Sequence, residues 1–216
     1  MIRTELYTAV IGDIMDKLGL LHQFLSPHIR PLRNDMIIVG RAMTVLEADG
    51  IAAESRNNKC LDQPFGLMLE ALDDLKQDEV YVCTGASASY ALWGELMATR
   101  AMQLGAAGAV LDGYSRDTYG ILSLNFPTFS YGSYAQDQAP RGKVIDYRVP
   151  IHLNGVRINP GDILVGDIDG VCVVPKTEEE KVFYGAIEKA RGEKMVQRKI
   201  SEGMSAREAF DKFGIM

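Results

Sequence analysis

The chain has 216 residues, of which 47% are hydrophobic and 8% aromatic, and its formal net charge is −6. This composition predicts a sizeable folded core rather than a disordered chain. The acidic balance argues against a nucleic-acid surface, which normally needs a basic stripe, so we expect no nucleic-acid partner. No linker or repeat divides the sequence, and we therefore expect a single domain over residues 1–216.

Apolar runs and cysteines predict the cellular setting. No apolar run approaches the length of a membrane-spanning helix, and residues 1–5 are too polar to begin a signal peptide. Cys60, Cys83 and Cys172 lie far apart and form no C-x-x-C pair. We therefore expect neither a disulfide framework nor a thiolate zinc site, no membrane partner, and a cytoplasmic location.

The first third of the chain predicts a helix followed by mixed strands and helices. Thr8 is expected to cap the first helix, and Gly19 to end it at the C′ position. Gly40 is expected to form a bulge within the first buried strand. The predicted elements that follow the first helix are a strand at 36–46, a helix at 63–76 and a strand at 80–83.

The middle third alternates strand and helix. The predicted elements are a helix at 95–104, a strand at 109–111, a short helix after Arg116 and a strand at 127–131. Such alternation favours parallel strands joined by right-handed crossovers, so the expected class is α/β.

The last third changes character. Turn pairs such as Asn154-Gly155 separate short apolar runs, and Asn-Gly favours a type I′ hairpin, so residues 144–175 are expected to form an antiparallel meander. Thr177 begins a capping-box pattern for a C-terminal helix, and the remaining residues are charged and expected to be helical.

Arg116 and Asp117 are the first chemical candidates, because they follow a predicted strand and ligands bind at the carboxyl ends of strands in α/β folds. Arginine offers a planar fork to a carboxylate, and aspartate can hold a hard cation such as Mg²⁺. A surface ion pair at a helix start explains the same dipeptide equally well. Both interpretations stay open at this point.

The loop Gly94-Glu95-Leu96-Met97 is the second candidate, because it precedes a predicted helix. Unpaired N–H groups at a helix start attract anions, although a close-packed turn explains the small residues as well. No G-x-G-x-x-G or P-loop is present, so a nucleotide site has little support. Together with the Arg-Asp pair, the loop predicts a pocket for a small, metal-chelating 2-oxo acid.

Other reactive residues are weaker candidates. Ser87 is not in a G-x-S-x-G elbow, and His22 and His28 lack metal-ligand spacing. His152 lies in an alternating strand and is interpreted as structural. Lys143 is the best of a weak set of Schiff-base lysines.

Several segments resemble the RraA-like family, which includes class II 4-hydroxy-4-methyl-2-oxoglutarate / 4-carboxy-4-hydroxy-2-oxoadipate aldolases and the regulator of ribonuclease E activity. The resemblance covers nearly the whole chain and rests on Trp93–Met97, Asp112–Asp117, Thr8-x-x-Ile11-x-Asp13, Gly40–Thr44 and Pro160–Val171. It implies a swivelling ββα three-layer domain with N- and C-terminal helices, assembled as a homotrimer or hexamer with the site near a subunit boundary.

The resemblance also implies roles for individual residues. Gly94, Glu95, Leu96 and Met97 would grip the pyruvyl end of a substrate through backbone N–H groups. Arg116 would bind the carboxylate or the developing enolate, and Asp117 would ligate Mg²⁺ or Mn²⁺. The implied activity is a metal-dependent lyase that releases pyruvate from a 4-hydroxy-2-oxo acid by retro-aldol cleavage and also decarboxylates oxaloacetate.

One position departs from the family pattern. Aldolases of the family usually carry an acid three residues after the aspartate, where this chain has Gly120. Asp112 is the nearest replacement by sequence. The departure gives weight to a non-catalytic regulator that binds a ribonuclease, and a sugar-acid lyase of the same family is a further alternative.

Overall fold

The computed structural model describes residues 5–50 and 62–215, so Cys60 and the first four residues lie outside the described residues. The helices are α1 (Thr8–Lys17), α2 (Met68–Asp73), α3 (Glu95–Gln103), α4 (Thr118–Leu124), α5 (Glu179–Ser201) and α6 (Ala206–Phe213). The strands are β1 (Arg30–Pro31), β2 (Ile38–Asp49), β3 (Glu79–Thr84), β4 (Ala91–Trp93), β5 (Gly108–Leu111), β6 (Tyr114–Ser115), β7 (Thr128–Ser130), β8 (Gly142–Tyr147), β9 (Ile151–Leu153), β10 (Val156–Ile158), β11 (Ile163–Asp167) and β12 (Gly170–Val174).

The main sheet has eight strands in the order β1-β7-β5-β3-β2-β11-β12, with β8 also paired to β2. Neighbours β2, β3, β5 and β7 are parallel, which confirms the pairing expected from strand–helix alternation. The segment before β1 also pairs with β12, since Val173 N–H donates to Gln23 O (2.8 Å) and Leu25 N–H to Val171 O (2.9 Å). The two ends of the sheet therefore meet, and the sheet nearly closes.

Alternation along the strands divides the core into an inside and an outside. Val80 and Val82 of β3 point into the closed sheet, whereas Tyr81 and Cys83 pack outside it. Helices α2, α3 and α4 cover that outer face. Helices α1 and α5 cover the opposite outer face beside β11 and β12. The result is the layered α/β class with N- and C-terminal helices that was expected.

The bulge prediction at Gly40 is wrong. Gly40 pairs in register with Leu164, and the irregularity lies between Leu46 and Glu47, where β2 pairs with β8. Close packing is what requires glycine at position 40, because a Cβ there would lie 2.5 Å from the Asp78 carbonyl oxygen.

The helix ends are only partly as expected. Gly19 adopts a left-handed conformation (φ 80°) just beyond α1, as predicted, but Tyr7 rather than Thr8 is the N-cap. Thr8 instead donates from its N–H and its hydroxyl to the Asp167 carboxylate, so a tertiary contact replaces local capping. Helix α5 starts at Glu179 without a side-chain cap, so the capping box at Thr177 is also wrong.

The antiparallel region is built from hairpins rather than from one meander. Strands β9 and β10 pair through Asn154 (φ 50°) and Gly155 (φ 85°), which confirms the predicted hairpin turn. Strands β11 and β12 form a second hairpin, but β8 and β11 each pair with β2 instead of with each other. Helix α2 is shorter than the predicted 63–76. Among the helices in the described ranges, none combines the length and the apolar character that crossing a bilayer requires.

Candidate active site

Backbone pairing brings the loop at 94–97 and the Arg-Asp dipeptide together. Strands β4 and β6 pair in parallel, and Arg116 N–H donates to Trp93 O at 2.8 Å. Gly94 follows Trp93 directly and is the N-cap of α3. The two segments singled out from sequence are therefore adjacent, although 18 residues of chain (98–115) separate them.

Gly94 leaves room for the side chains of Arg116 and Asp117. A Cβ at this position would lie 2.8 Å from Asp117 Oδ2 and 3.8 Å from Arg116 Nε. The first N–H groups of α3 belong to Glu95, Leu96 and Met97, and they have no carbonyl partner inside the helix. No side chain caps this helix start. Amide donors, a guanidinium and a carboxylate thus share one small region.

Two carboxylates hold the Arg116 side chain. Its Nη1 lies 2.9 Å from Asp137 Oδ1, and its Nε lies 3.8 Å from Asp117 Oδ2. The side chain is 39% exposed, so it borders the solvent without being free in it. Sequence reasoning missed Asp137, which lies 21 residues beyond Arg116 and belongs to no motif.

Asp117 has an uncommon backbone conformation. Its φ of 55° and ψ of 34° are left-handed, and it is the N-cap of α4. Such a conformation costs of order 1 kcal/mol or more in a residue other than glycine, and it is concentrated at functional sites. Here it directs the carboxylate towards Gly94.

A second carboxylate fills the space beside Gly120. A Cβ at Gly120 would lie 2.2 Å from Glu95 Cδ and 2.3 Å from Glu95 Oε2. The acid that is missing at position 120 therefore has a spatial counterpart in the side chain of Glu95, the first residue of α3. No sequence signal used above pointed to this side chain, because only the backbone of Glu95 was singled out.

Asp112, the nearest acid by sequence, is held by two hydroxyl groups. Its Oδ2 accepts a hydrogen bond from the Thr84 hydroxyl (2.6 Å), and its Oδ1 accepts one from the Tyr131 hydroxyl (2.7 Å). The side chain is thereby tied to β3 and to the end of β7. Burial, together with the hydrogen bond to Asp112, raises the pKa of Tyr131, so the phenol stays a donor.

A cavity of about 390 Å³ opens beside Arg116 and Asp117. One wall is formed by charged groups of the Arg-Asp region and Asp137. The remaining lining is mostly apolar and comes from α2, α3 and the segments that precede them: Phe65, Met68, Leu69, Leu72, Leu92, Trp93, Leu96 and Met97. Its volume lies in the range usual for small-molecule sites, about 300–1,000 Å³.

A buried carboxyl group lies behind this cavity. Glu47 is 2% exposed, and its Oε2 accepts a hydrogen bond from Gln138 Nε2 at 2.6 Å. Its Oε1 has no hydrogen-bond partner within the described part of the chain. Burial raises the pKa of Glu47 to about 8, so the group is largely protonated at neutral pH. Gln138 also lines the cavity and adjoins Asp137.

The weaker candidates lie elsewhere. His152 is exposed on β9, and the Lys143 ammonium donates to Gln63 O at 2.7 Å. Ser87 pairs its hydroxyl with Ser89. Within residues 5–50 and 62–215, no three Asp, Glu, His or Cys side chains gather as a metal cluster.

The family model described as Aldolase/RraA matches residues 8–173. A Halalkalibacterium halodurans protein named for 4-hydroxy-4-methyl-2-oxoglutarate aldolase is 34% identical over 204 residues, covering 94% of this chain and 89% of that one. The 4-hydroxy-4-methyl-2-oxoglutarate aldolase of Thermus thermophilus is 31% identical over 97 residues, covering 45% and 58%.

Solved structures share the fold. An uncharacterized protein of Pseudomonas syringae superimposes with a TM-score of 0.83 at 28% identity and covers 94% of this chain and 88% of that one. Streptomyces coelicolor RraAS2, described as an unusual member of the RNase ES inhibitor RraA protein family, gives a TM-score of 0.80 at 22% identity and covers 92% and 95%. Since the family model spans most of the sequence and the fold agrees, the chain belongs to the RraA-like family.

Proposed function

We propose that this protein is a divalent-metal-dependent lyase that cleaves a 4-hydroxy-2-oxo acid and releases pyruvate. The aldolase names of relatives support an aldolase role within the family. The observation that carries the proposal is the meeting of Arg116 and Asp117 with the amide-rich start of α3 at the mouth of a cavity.

The reaction needs a place for negative charge. In retro-aldol cleavage the C3–C4 bond breaks, its electron pair delocalises onto the C2 oxygen as an enolate, and the C4 hydroxyl loses its proton to become a carbonyl. Protonation of C3 then gives pyruvate. Loss of CO₂ from oxaloacetate leaves the same enolate, so we propose that the site also decarboxylates oxaloacetate.

The donor set fits a magnesium or manganese ion. Asp117 directs a carboxylate to Gly94, and Glu95 places another beside Gly120. Mg²⁺ is commonly held by one or two carboxylates, with the remaining positions filled by water and substrate. Asp117 and Glu95 are therefore the residues that would hold the ion. When bound, the ion supplies Lewis-acid stabilisation of the charge that develops on the 2-oxo group.

The protein's own residues would bind and orient the substrate. The N–H groups of Glu95, Leu96 and Met97 would donate to the substrate carboxylate, with the positive end of the α3 dipole behind them. Arg116 would place a fixed positive charge beside the developing enolate oxygen. Asp137 would keep the guanidinium oriented, since its ion pair with Arg116 is short.

Pyruvate release from oxaloacetate and from a 4-hydroxy-2-oxo acid tests the proposal, in the presence of Mn²⁺ and after its removal by EDTA. Removing one preorganised donor typically costs about 10²–10³ in kcat, so Arg116→Ala is expected to lose that much activity. Arg157→Ala changes an exposed arginine on β10 and serves as the matched control. A rate of pyruvate release that is unchanged by EDTA or by Arg116→Ala would refute the mechanism.

Metal binding can be measured without turnover. Titration of Mn²⁺ followed by electron paramagnetic resonance is expected to show weaker binding by Asp117→Asn and by Glu95→Gln than by the unmodified protein. Unchanged Mn²⁺ affinity in both variants would remove these residues from the proposed metal site. Tight binding of a ribonuclease together with no lyase activity would favour the regulator instead.

We also propose that the working form is a homotrimer or hexamer, as the family resemblance implies. Leu96 and Tyr119 support this, because they are 84% and 85% exposed at the starts of α3 and α4, beside the site. Light scattering coupled to size exclusion tests it, and a monomer at micromolar concentration would contradict it.

A further inference from the structure

The cavity beside Arg116 has two chemically different ends. At one end lie Arg116, Asp117 and the amide groups that begin α3. The other end runs between α2 and α3, where Met68, Leu69 and Leu72 of α2 line it. Met97 and Arg100, one helical turn apart on α3, line it from the opposite side. A substrate anchored at the charged end must therefore extend between two helices with a largely apolar lining.

The cations in this lining are already paired. The guanidinium of Arg100 lies 2.7 Å from the Asp73 carboxylate at the far end of the cavity, and that of Arg116 lies 2.9 Å from Asp137 at the near end. Among the described residues that line the cavity, three carboxylates face these two arginines. A second substrate carboxylate at the far end would therefore compete with Asp73 for Arg100, beside methionine and leucine side chains.

We propose, on the basis of the function proposed above, that the preferred substrate carries an uncharged alkyl group on C4 rather than a second carboxylate. Cleavage of its C3–C4 bond converts the C4 hydroxyl into a carbonyl, with loss of the hydroxyl proton and protonation of C3. The products are pyruvate and an aliphatic aldehyde or ketone. This differs from 4-hydroxy-4-methyl-2-oxoglutarate, in whose name a second carboxylate is explicit.

The physical reason is the unequal cost of burying the two groups. An alkyl group gains roughly 0.8 kcal/mol for each CH₂ transferred from water to an apolar wall, which corresponds to about four-fold in binding per carbon. An ionised carboxylate in the same place gives up part of its hydration to the apolar lining. It also finds no unpaired cation among the described lining residues, since Asp73 holds Arg100 and Asp137 holds Arg116.

The test uses a matched pair of five-carbon substrates, 4-hydroxy-2-oxopentanoate and 4-hydroxy-2-oxoglutarate, which differ only in a methyl or a carboxylate on C4. The expected result is a kcat/KM at least about ten-fold higher for the methyl compound. Extending methyl to ethyl and propyl is expected to raise kcat/KM by about four-fold per carbon until the cavity is full.

A charge placed in the apolar wall provides the reciprocal test. Leu69 is 54% exposed on α2 and lines the cavity, so Leu69→Arg should fold while adding a third cation to the lining. This variant is expected to lower kcat/KM for the pentanoate and raise it for the glutarate. Leu21→Arg, at a 64% exposed leucine outside the cavity, is the matched control and should leave the ratio unchanged.

Oxaloacetate separates failure of this inference from failure of the proposed function. If the unmodified protein releases pyruvate from oxaloacetate but cleaves the glutarate as well as or better than the pentanoate, the apolar preference is refuted and the lyase stands. The preference is equally refuted if oxaloacetate reacts and neither hydroxy acid does. If no compound releases pyruvate above the metal-only rate, the proposed function itself is refuted.

Discussion

Replacing the buried Glu47 by glutamine should change how stability depends on pH. Burial raises the pKa of this carboxyl group from 4.5 to about 8 in the folded protein. Between these values the folded state keeps a proton that the unfolded state has released. Stability therefore falls as pH rises through this window, by roughly 1.4 kcal/mol per pH unit. Below the window the group is protonated in both states and contributes no pH dependence.

The magnitude follows from the width of the window. A window of about 3.5 pH units makes the deprotonated carboxylate cost on the order of 3–5 kcal/mol above pH 8. Glu47→Gln has nearly the same shape and remains neutral, and its side-chain oxygen can still accept the hydrogen bond from Gln138. Relative to the unmodified protein, the variant should thus gain stability steadily between pH 5 and about 8.

Urea unfolding at pH 5, 6, 7 and 8, followed by circular dichroism, measures this difference. Glu188→Gln, at an exposed glutamate on α5, is the control for removing one carboxylate from the surface. The reasoning is refuted if the free energies of unfolding of Glu47→Gln and the unmodified protein differ by an amount that stays constant within about 0.5 kcal/mol across this pH range. It would mean that Glu47 is ionised in the folded state and finds compensation there.

Three further predictions concern the site and its frame. Gly120→Ala places a Cβ 2.2 Å from Glu95 Cδ, so it should displace the Glu95 carboxylate. We expect kcat/KM for pyruvate release to fall by about 10²-fold, while the free energy of unfolding in urea changes little. Asp137→Asn removes the 2.9 Å ion pair of Arg116 and should lower kcat/KM about ten-fold, with less than about 1 kcal/mol lost in unfolding because the pair is exposed. Asp162 is 4% exposed, and its carboxylate accepts two backbone N–H hydrogen bonds of 2.8 and 2.9 Å. Asp162→Ala should therefore lower the free energy of unfolding, measured in urea, by about 1–3 kcal/mol while activity is retained.

Local features of the fold could be predicted from sequence because neighbouring residues determine them. The apolar run at β3 and the helix-forming residues of α3 gave elements close to those observed. Asn154-Gly155 gave the right turn because both positions accept a positive φ. The capping of α1 was mispredicted because Asp167, distant in sequence, engages the hydroxyl and N–H of Thr8.

The candidate site likewise has one part that local sequence predicts and another that depends on the tertiary structure. Sequence by itself identified Arg116, Asp117 and the loop that begins α3, since an arginine beside an aspartate after a strand and small residues before a helix are local patterns. Only the tertiary structure decided that Glu95 fills the space beside Gly120 and that Asp137 holds the guanidinium. These contacts join residues more than 20 positions apart, and their geometry depends on how β4 and β6 pair and how α3 packs against α4.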